Sequence, residues 1–334
     1  MTELTTVDRA ESPVPPPDPD RLEDHRGELT AYAYRMLGSP FEAEDAVQET
    51  LVRAWRSLDR FEGRSALRSW LYRICTNVCL DMLNGRQRRA IPMDFGPAAP
   101  ASTALPAPLA ESAWVEPIPD DRAAPAGGDP AELAVARESI RLAFVAALQH
   151  LPPRQRAVLI LREVLRWHAD EVAELLETTV ASVNSALQRA RATMSASGAS
   201  DADPPAPLDD AQRALLARYV DAFERYDMSA LTAVLADDAS WSMPPYTLWL
   251  RGHDDITAWC LGTGIGCRGS RLVPVAANGA PAWGQYKPAP DGNGLVPWSL
   301  QVLELSGDRI TGVVFFLDTA RLFPLFGLPD RLDA

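Results

Sequence analysis

The sequence predicts a multidomain protein in which two all-α helical units are followed by one α+β unit, and three observations lead there. Residues 151–194 repeat apolar side chains at helical spacing through three short segments, residues 22–89 do so through longer ones, and alternation at a period of two sets in only after residue 208. Proline-rich stretches separate the three units. The chain of 334 residues is also longer than two small helical units require, and leaves about 125 residues for a further core.

Taken in order, residues 1–20 carry five prolines among scattered acids, lack a cationic start with an apolar core, and read as a disordered leader with no secretion signal. Residues 21–90 make the first helical unit. Glu42, Glu44, Asp45 and Glu49 crowd a helix start, where carboxylates suit the positive end of the dipole. Val47, Leu51 and Trp55 give that helix its apolar face, and Asp45, Gln48 and Glu49 stay outside. In the next helix Leu67, Leu71, Ile74, Val78 and Met82 form a core stripe with Trp70 as a packed anchor. Around it Arg64, Arg68, Arg73, Arg86, Arg88 and Arg89 stand against the single acid Asp81, a balance suited to phosphate. Asn77 and Asp81, four residues apart, share one exposed side.

Residues 91–129 are crowded with proline and alanine and read as a linker, within which Trp114 sits among acids and prolines where a bare spacer needs no such residue. Residues 130–196 are the second helical unit. Pro152 and Pro153 start a helix whose inner face is Ala157, Val158, Leu161, Val164 and Leu165; Val172, Ala173, Leu175 and Leu176 point inward from the next. Thr178 and Thr179 offer capping hydroxyls to a third, buried along Val180, Val183, Leu187, Ala190 and Met194. This is a helix-turn-helix, a unit whose last helix suits a DNA major groove. Many such units place glycine at the turn, whereas this chain has Glu177, a residue that resists positive φ.

After a second linker, residues 197–207, the unit of residues 208–334 opens with a helix carrying Leu215, Tyr219, Ala222 and Tyr226 on one side, then a short helix over Leu231 and Leu235. Strands are expected over 270–277, 282–286, 298–305 and 309–317, arranged as a curved antiparallel sheet, with Pro274 confining the first to an edge.

Composition constrains function. A formal charge of −13 and a pI near 4.8 argue against a free-standing nucleic-acid binder and suit a chain that a large cationic partner holds on DNA. No apolar run approaches the roughly twenty residues that cross a bilayer, so a cytoplasmic location is expected. Cys75 and Cys79 lack histidine partners and suit buried thiols, and Cys260 and Cys267, bracketing a glycine loop, are expected to be reduced; neither a metal nor a cofactor is implied. His253, beside Asp254 and Asp255 at an expected helix start, reads as a capping cluster rather than catalytic machinery, and no enzymatic activity is expected.

The segments DAVQETLVRAW, SALRSWLYRICTNVCLD with RQRR, and LPPRQRAVLILREVL with the helix-turn-helix together resemble regions 2 and 4 of the extracytoplasmic-function sigma factors of the sigma-70 family, over roughly residues 20–90 and 130–196. The resemblance implies that Asp45, Gln48, Glu49 and Arg53 contact core RNA polymerase. It implies that Arg64, Ser65, Arg68, Arg73, Asn77, Asp81, Arg86, Arg88 and Arg89 serve the minus-ten element of promoter DNA. The minus-thirty-five element then falls to Thr179, Ser182, Asn184, Ser185, Gln188, Arg189 and Arg191. Trp114, Glu116 and Pro117 resemble a linker motif of sigma factors with an extra C-terminal domain, which implies a peptide docked on a folded unit. The stretch YVDAFERYDMSALTAVLADDASWSMPP with RGHDDI resembles the SnoaL-like polyketide-cyclase domains, cones around a pocket. That implies a small-molecule site lined by Trp241, Met243, Trp249, His253, Trp283, Tyr286 and Phe315, without transferring a reaction. The expected function is an alternative sigma factor tuned in cis by its tail. The alternatives are a stand-alone helix-turn-helix regulator and a SnoaL-type enzyme fused to a DNA-binding module.

Overall fold

The structure, a computed structural model, describes residues 20–61, 66–123, 135, 137–196 and 208–333. Most of the expected leader, Arg64, Ser65 and the linker residues 197–207 lie outside the described residues.

In the first unit, helices α1 (Arg26–Leu37), α2 (Pro40–Ser57) and α3 (Leu67–Leu83) pack together. Gly38, at φ 73°, ends α1, and Ser39 caps α2 by accepting from Glu42 N at 3.4 Å. The inner face of α2 is Ala43, Ala46, Val47, Thr50, Leu51 and Ala54. Trp55, expected on that face, is instead 64% exposed. Two steps of four residues rotate a side chain by about 80° around a helix of 3.6 residues per turn, enough to carry Trp55 off the line set by Val47.

The second unit holds α4 (Leu142–Gln149), α5 (Pro153–Leu159) with a π turn over Ile160–Val164, α6 (Ala169–Leu175) and α7 (Val180–Ala196). Helix α7 buries Val183, Leu187, Ala190 and Met194, while Val180, expected in that stripe, is 43% exposed in the first turn. The turn before α7 does adopt the conformation that glycine favours: Glu177 sits at φ 51°, and Thr179 Oγ1 accepts from Ser182 N at 3.1 Å.

The third unit begins with α8 (Asp210–Arg225), capped by Asp209, and α9 (Met228–Thr232). Its strands β1 (Leu235–Ser242), β2 (Trp249–Arg251), β3 (Arg271–Ala277), β4 (Ala280–Pro288), β5 (Leu295–Ser306) and β6 (Arg309–Phe316) form one sheet in the order β2-β1-β6-β5-β4-β3. Pro274 lies on the edge strand β3, as its missing N–H requires. The sheet is not wholly antiparallel, because β1 and β6 pair in parallel across the long intervening chain. Helices α10 (His253–Leu261) and α11 (Thr319–Leu325) complete the unit.

The two faces of this sheet serve different cores. The inner face, with Trp241, Trp283, Leu303, Val313 and Phe315, closes over Leu215, Tyr219 and Phe223 of α8. The outer face, with Ala282, Tyr286, Leu300, Val302 and Phe316, belongs to the same continuous core as the two helical units. The expected linker is therefore no free tether. Ala99 N donates to Trp249 O, Leu109 N to Pro245 O and Ala101 N to Asp255 Oδ1, so that residues 96–109 run along the third unit. A proline-rich segment lends itself to this, since it has little conformational freedom to lose on docking.

Candidate nucleic-acid interface

Helix α7 presents the groove-reading side of the helix-turn-helix. Thr179, Ser182, Asn184, Ser185, Gln188, Arg189 and Arg191 are all exposed, as the burial of the opposite stripe dictates. Ser185 Oγ accepts from Arg189 at 2.8 Å, and Arg191 reaches back to Glu163 at 2.5 Å. Short polar side chains and arginines without a neighbouring acid on the helix itself can address base edges and phosphates together.

The basic helix of the first unit is less free. Asn77 and Asp81 are exposed on α3. Arg68 lies 2.7 Å from Glu28 and stacks over Tyr72 and Trp167, and Arg73 pairs with Glu174 of α6 at 3.2 Å. Arg86 pairs with Glu42 at 2.6 Å, and Arg88 meets His150. Arg89 departs from the expectation of a DNA contact: it is 7% exposed, donates to Trp114 O at 2.5 Å and pairs with Glu42 and Glu116. A guanidinium so enclosed by acceptors fastens the linker rather than facing phosphate.

On α2, Asp45, Gln48 and Glu49 are exposed, and Arg53 bonds Glu49 at 2.6 Å and approaches Asp81 at 3.6 Å. The expectation overlooked Trp55. It continues the exposed face on which Gln48 precedes it by seven residues, with half-buried Val52 between them, and is a large apolar anchor there.

The two helical units touch directly. The Tyr72 and Trp167 rings are 5.1 Å apart, and buried Arg156 of α5 donates to Met36 O of α1 and, at 2.6 Å, to Gln149 Oε1. Trp114 is buried against Phe95, and its neighbour Glu116 accepts a hydrogen bond at its carbonyl from Tyr34 Oη at 2.8 Å. Burial raises the Glu116 carboxyl above its ordinary range, an effect that Ser39, Arg89 and Arg321 partly offset.

Where the third unit meets both helical units stands Asn278, at the tip of the β3–β4 hairpin. It is fully buried at φ 56°, followed by Gly279 at φ 64°, the Asn-Gly pair of a tight hairpin turn. Its Nδ2 donates to Tyr34 Oη at 2.7 Å and to Ile140 O at 2.5 Å; its Oδ1 accepts from Ile118 N at 2.9 Å. Gly279 N donates to Asp120 Oδ1 at 2.7 Å. One side chain thus bonds the first unit, the linker and the start of the second. The dipeptide marks a turn in any sequence; no local signal says that the turn is inserted into another domain.

The expected cone pocket is nearly full. Trp241, Met243, Trp283 and Phe315 face inward, but the void beside them measures about 40 Å³, room for a water or two. Gln285, which lines it, is satisfied by its neighbours: it donates to Ser270 and accepts from Gln301, which itself accepts from Tyr219 Oη. Tyr286 does not line it. It stands three residues from Trp283 in one strand and so faces outward, against Phe323. Trp249 likewise faces outward beside Ser242, its indole donating to Gly96 O at 2.9 Å. His253 Nε2 lies 3.0 Å from Ala236 O at the start of α10, away from the void.

Family models for sigma-70 region 2, sigma-70 region 4 and the SnoaL-like domain match residues 22–89, 141–194 and 216–313. The ECF RNA polymerase sigma factor SigG of Mycobacterium tuberculosis is 48% identical over 320 residues, covering 93% of this chain and 83% of that one. The chain belongs to the extracytoplasmic-function sigma factors of the sigma-70 family. This sigma factor carries a C-terminal SnoaL-like domain, and α3 and α7 are helices of its regions 2 and 4. A second sigma factor of M. tuberculosis, SigJ, is 27% identical over 247 residues, 72% of this chain and 71% of that one. The crystal structure of SigJ has the same fold, with a TM-score of 0.60 at 21% identity over 93% of this chain and all of that one. These relatives are sigma factors. Among the described residues no helix is long and apolar enough to cross a membrane.

Proposed function

We propose that this sigma factor directs core RNA polymerase to promoters and that its SnoaL-like domain restrains it in cis by holding regions 2 and 4 together. Asn278 carries the reading, because it ties the C-terminal domain to region 2, the linker and the start of region 4 at one point. Elements centred ten and thirty-five base pairs before a start site lie about 85 Å apart at 3.4 Å per base pair. Here Arg73 of region 2 is 3.2 Å from Glu174 of region 4, so the closed form cannot span both elements. Opening frees Arg73 from Glu174 and uncovers Arg68 from Trp167, so that both join Asn77, Asp81, Arg86 and Arg88 at the minus-ten element, with α7 at the minus-thirty-five element. Asp45, Gln48 and Glu49, joined by Trp55, form the face for core polymerase.

The test is run-off transcription with purified core polymerase, comparing the full chain with Asn278→Ala. The variant leaves Tyr34, Ile118 and Ile140 with unmet bonds, a cost of about 2–4 kcal/mol borne by the closed form. More transcript and a larger hydrodynamic radius are expected. Unchanged transcript and radius would overturn the restraint, and no transcript from either protein on fragmented genomic DNA would overturn promoter direction.

A further inference from the structure

A cavity of about 260 Å³ lies where region 2, the linker, region 4 and the outer face of the SnoaL-like sheet meet. It is separate from the filled interior of the cone. Each of these parts supplies a wall: Ile91 follows region 2, Val115 belongs to the linker, Leu142 opens region 4, and Ser242, Glu304 and Phe316 come from the sheet. The walls are mainly apolar, and four polar residues break them: Ser240, Ser242, Arg251 and Glu304. Ser242 is fully buried, and its hydroxyl has no hydrogen-bond partner among the described residues. Unsatisfied buried hydroxyls are uncommon enough to need an explanation, and a bound group that completes the bond is one. Glu304 of β5 lines the cavity beside it; burial raises its carboxyl above its ordinary range, with Arg141 pulling the other way.

We propose that this interdomain cavity is a ligand site for a small aromatic alcohol or phenol, whose ring meets the apolar walls and whose hydroxyl meets Ser242 and Glu304. The size fits, since an apolar cavity of about 150 Å³ accepts benzene and this one has room for a substituted ring. The walls come together only when the domains are docked, so a ligand here binds the closed form and draws the population toward it. It acts as a corepressor. That last step rests on the restraint in cis proposed above, whereas binding itself rests on the cavity alone.

The experiment uses the full chain and p-cresol, with toluene as the matched hydrocarbon without the hydroxyl. p-Cresol is expected to raise the melting temperature with concentration and to bind roughly tenfold more tightly than toluene, the value of one hydrogen bond at the upper end of the neutral range. Ser242→Ala should narrow that preference severalfold. Ala143→Phe, which fills the cavity from α4, should abolish binding. Should Ala143→Phe fail to fold, Asn278→Ala gives a second reading, because separating the walls should also remove the site. No p-cresol binding at millimolar concentration, or binding that survives both Ala143→Phe and Asn278→Ala, overturns the site. Binding as expected with no fall in the affinity of the wild type for core polymerase overturns the corepressor step. Failure of the restraint itself is read separately, as equal transcription by wild type and Asn278→Ala without any ligand.

Discussion

Two side chains show what single residues carry in this molecule. Glu177 holds the helix-turn-helix turn at φ 51°, a conformation that costs a residue with a Cβ roughly 1 kcal/mol relative to one without. Glu177→Gly should therefore stabilise the fold by about that much, read as a rise of about 1–2 °C in a calorimetric scan, with promoter binding unchanged. Glu304 presents the opposite case, a carboxyl that its surroundings penalise when it ionises. Its raised value in the folded state means that the wild type loses stability as pH climbs from the ordinary carboxylate value near 4.5 through the folded value. Glu304→Gln escapes the penalty. The variant should melt higher than wild type at neutral pH, and the difference should shrink as pH falls toward that ordinary value; a gap that widened in acid would reverse the assignment.

At the scale of the element, α2 offers the clearest prediction. Trp55 is the exposed aromatic of a helix whose other exposed residues are polar, and such residues commonly dominate an interface. Trp55→Ala should weaken binding to core polymerase by tenfold or more in a pull-down titration while leaving the melting temperature unchanged. The elements themselves were legible because helical periodicity, caps and alternation are local properties, and they placed α3, α7, α8 and edge strand β3. Faces were legible only as far as geometry was applied strictly. Trp55 lies two four-residue steps from Val47, and Tyr286 lies an odd number of residues from Trp283, so both face away from the expected side. Val180 is exposed as well, at the first residue of its helix. What contacts arise between distant segments was hidden: nothing near Arg89 announces Trp114, and nothing near Asn278 announces Tyr34 or Ile140.

In the molecule as a whole, one continuous core joins region 2, region 4, the linker and the outer face of the sheet, while a second fills the cone. The domains should accordingly not melt independently. Trp114→Ala removes a buried aromatic at the seam, a loss of about 3–5 kcal/mol. It should split a single calorimetric transition into two, with faster amide exchange in the linker and at the hairpin tip before any change inside the cone. A single sharp transition in the variant would refute shared cohesion. The order of the chain adds a matter of timing. The hairpin that fastens the domains lies about 80 residues beyond the end of α7, which a ribosome adding 5–20 residues per second makes in roughly 4 to 16 s. Each newly synthesised chain thus passes through a brief interval with both DNA-reading regions complete and the fastening hairpin still unmade, and a polymerase close to the translating message meets the protein first in that unfastened state.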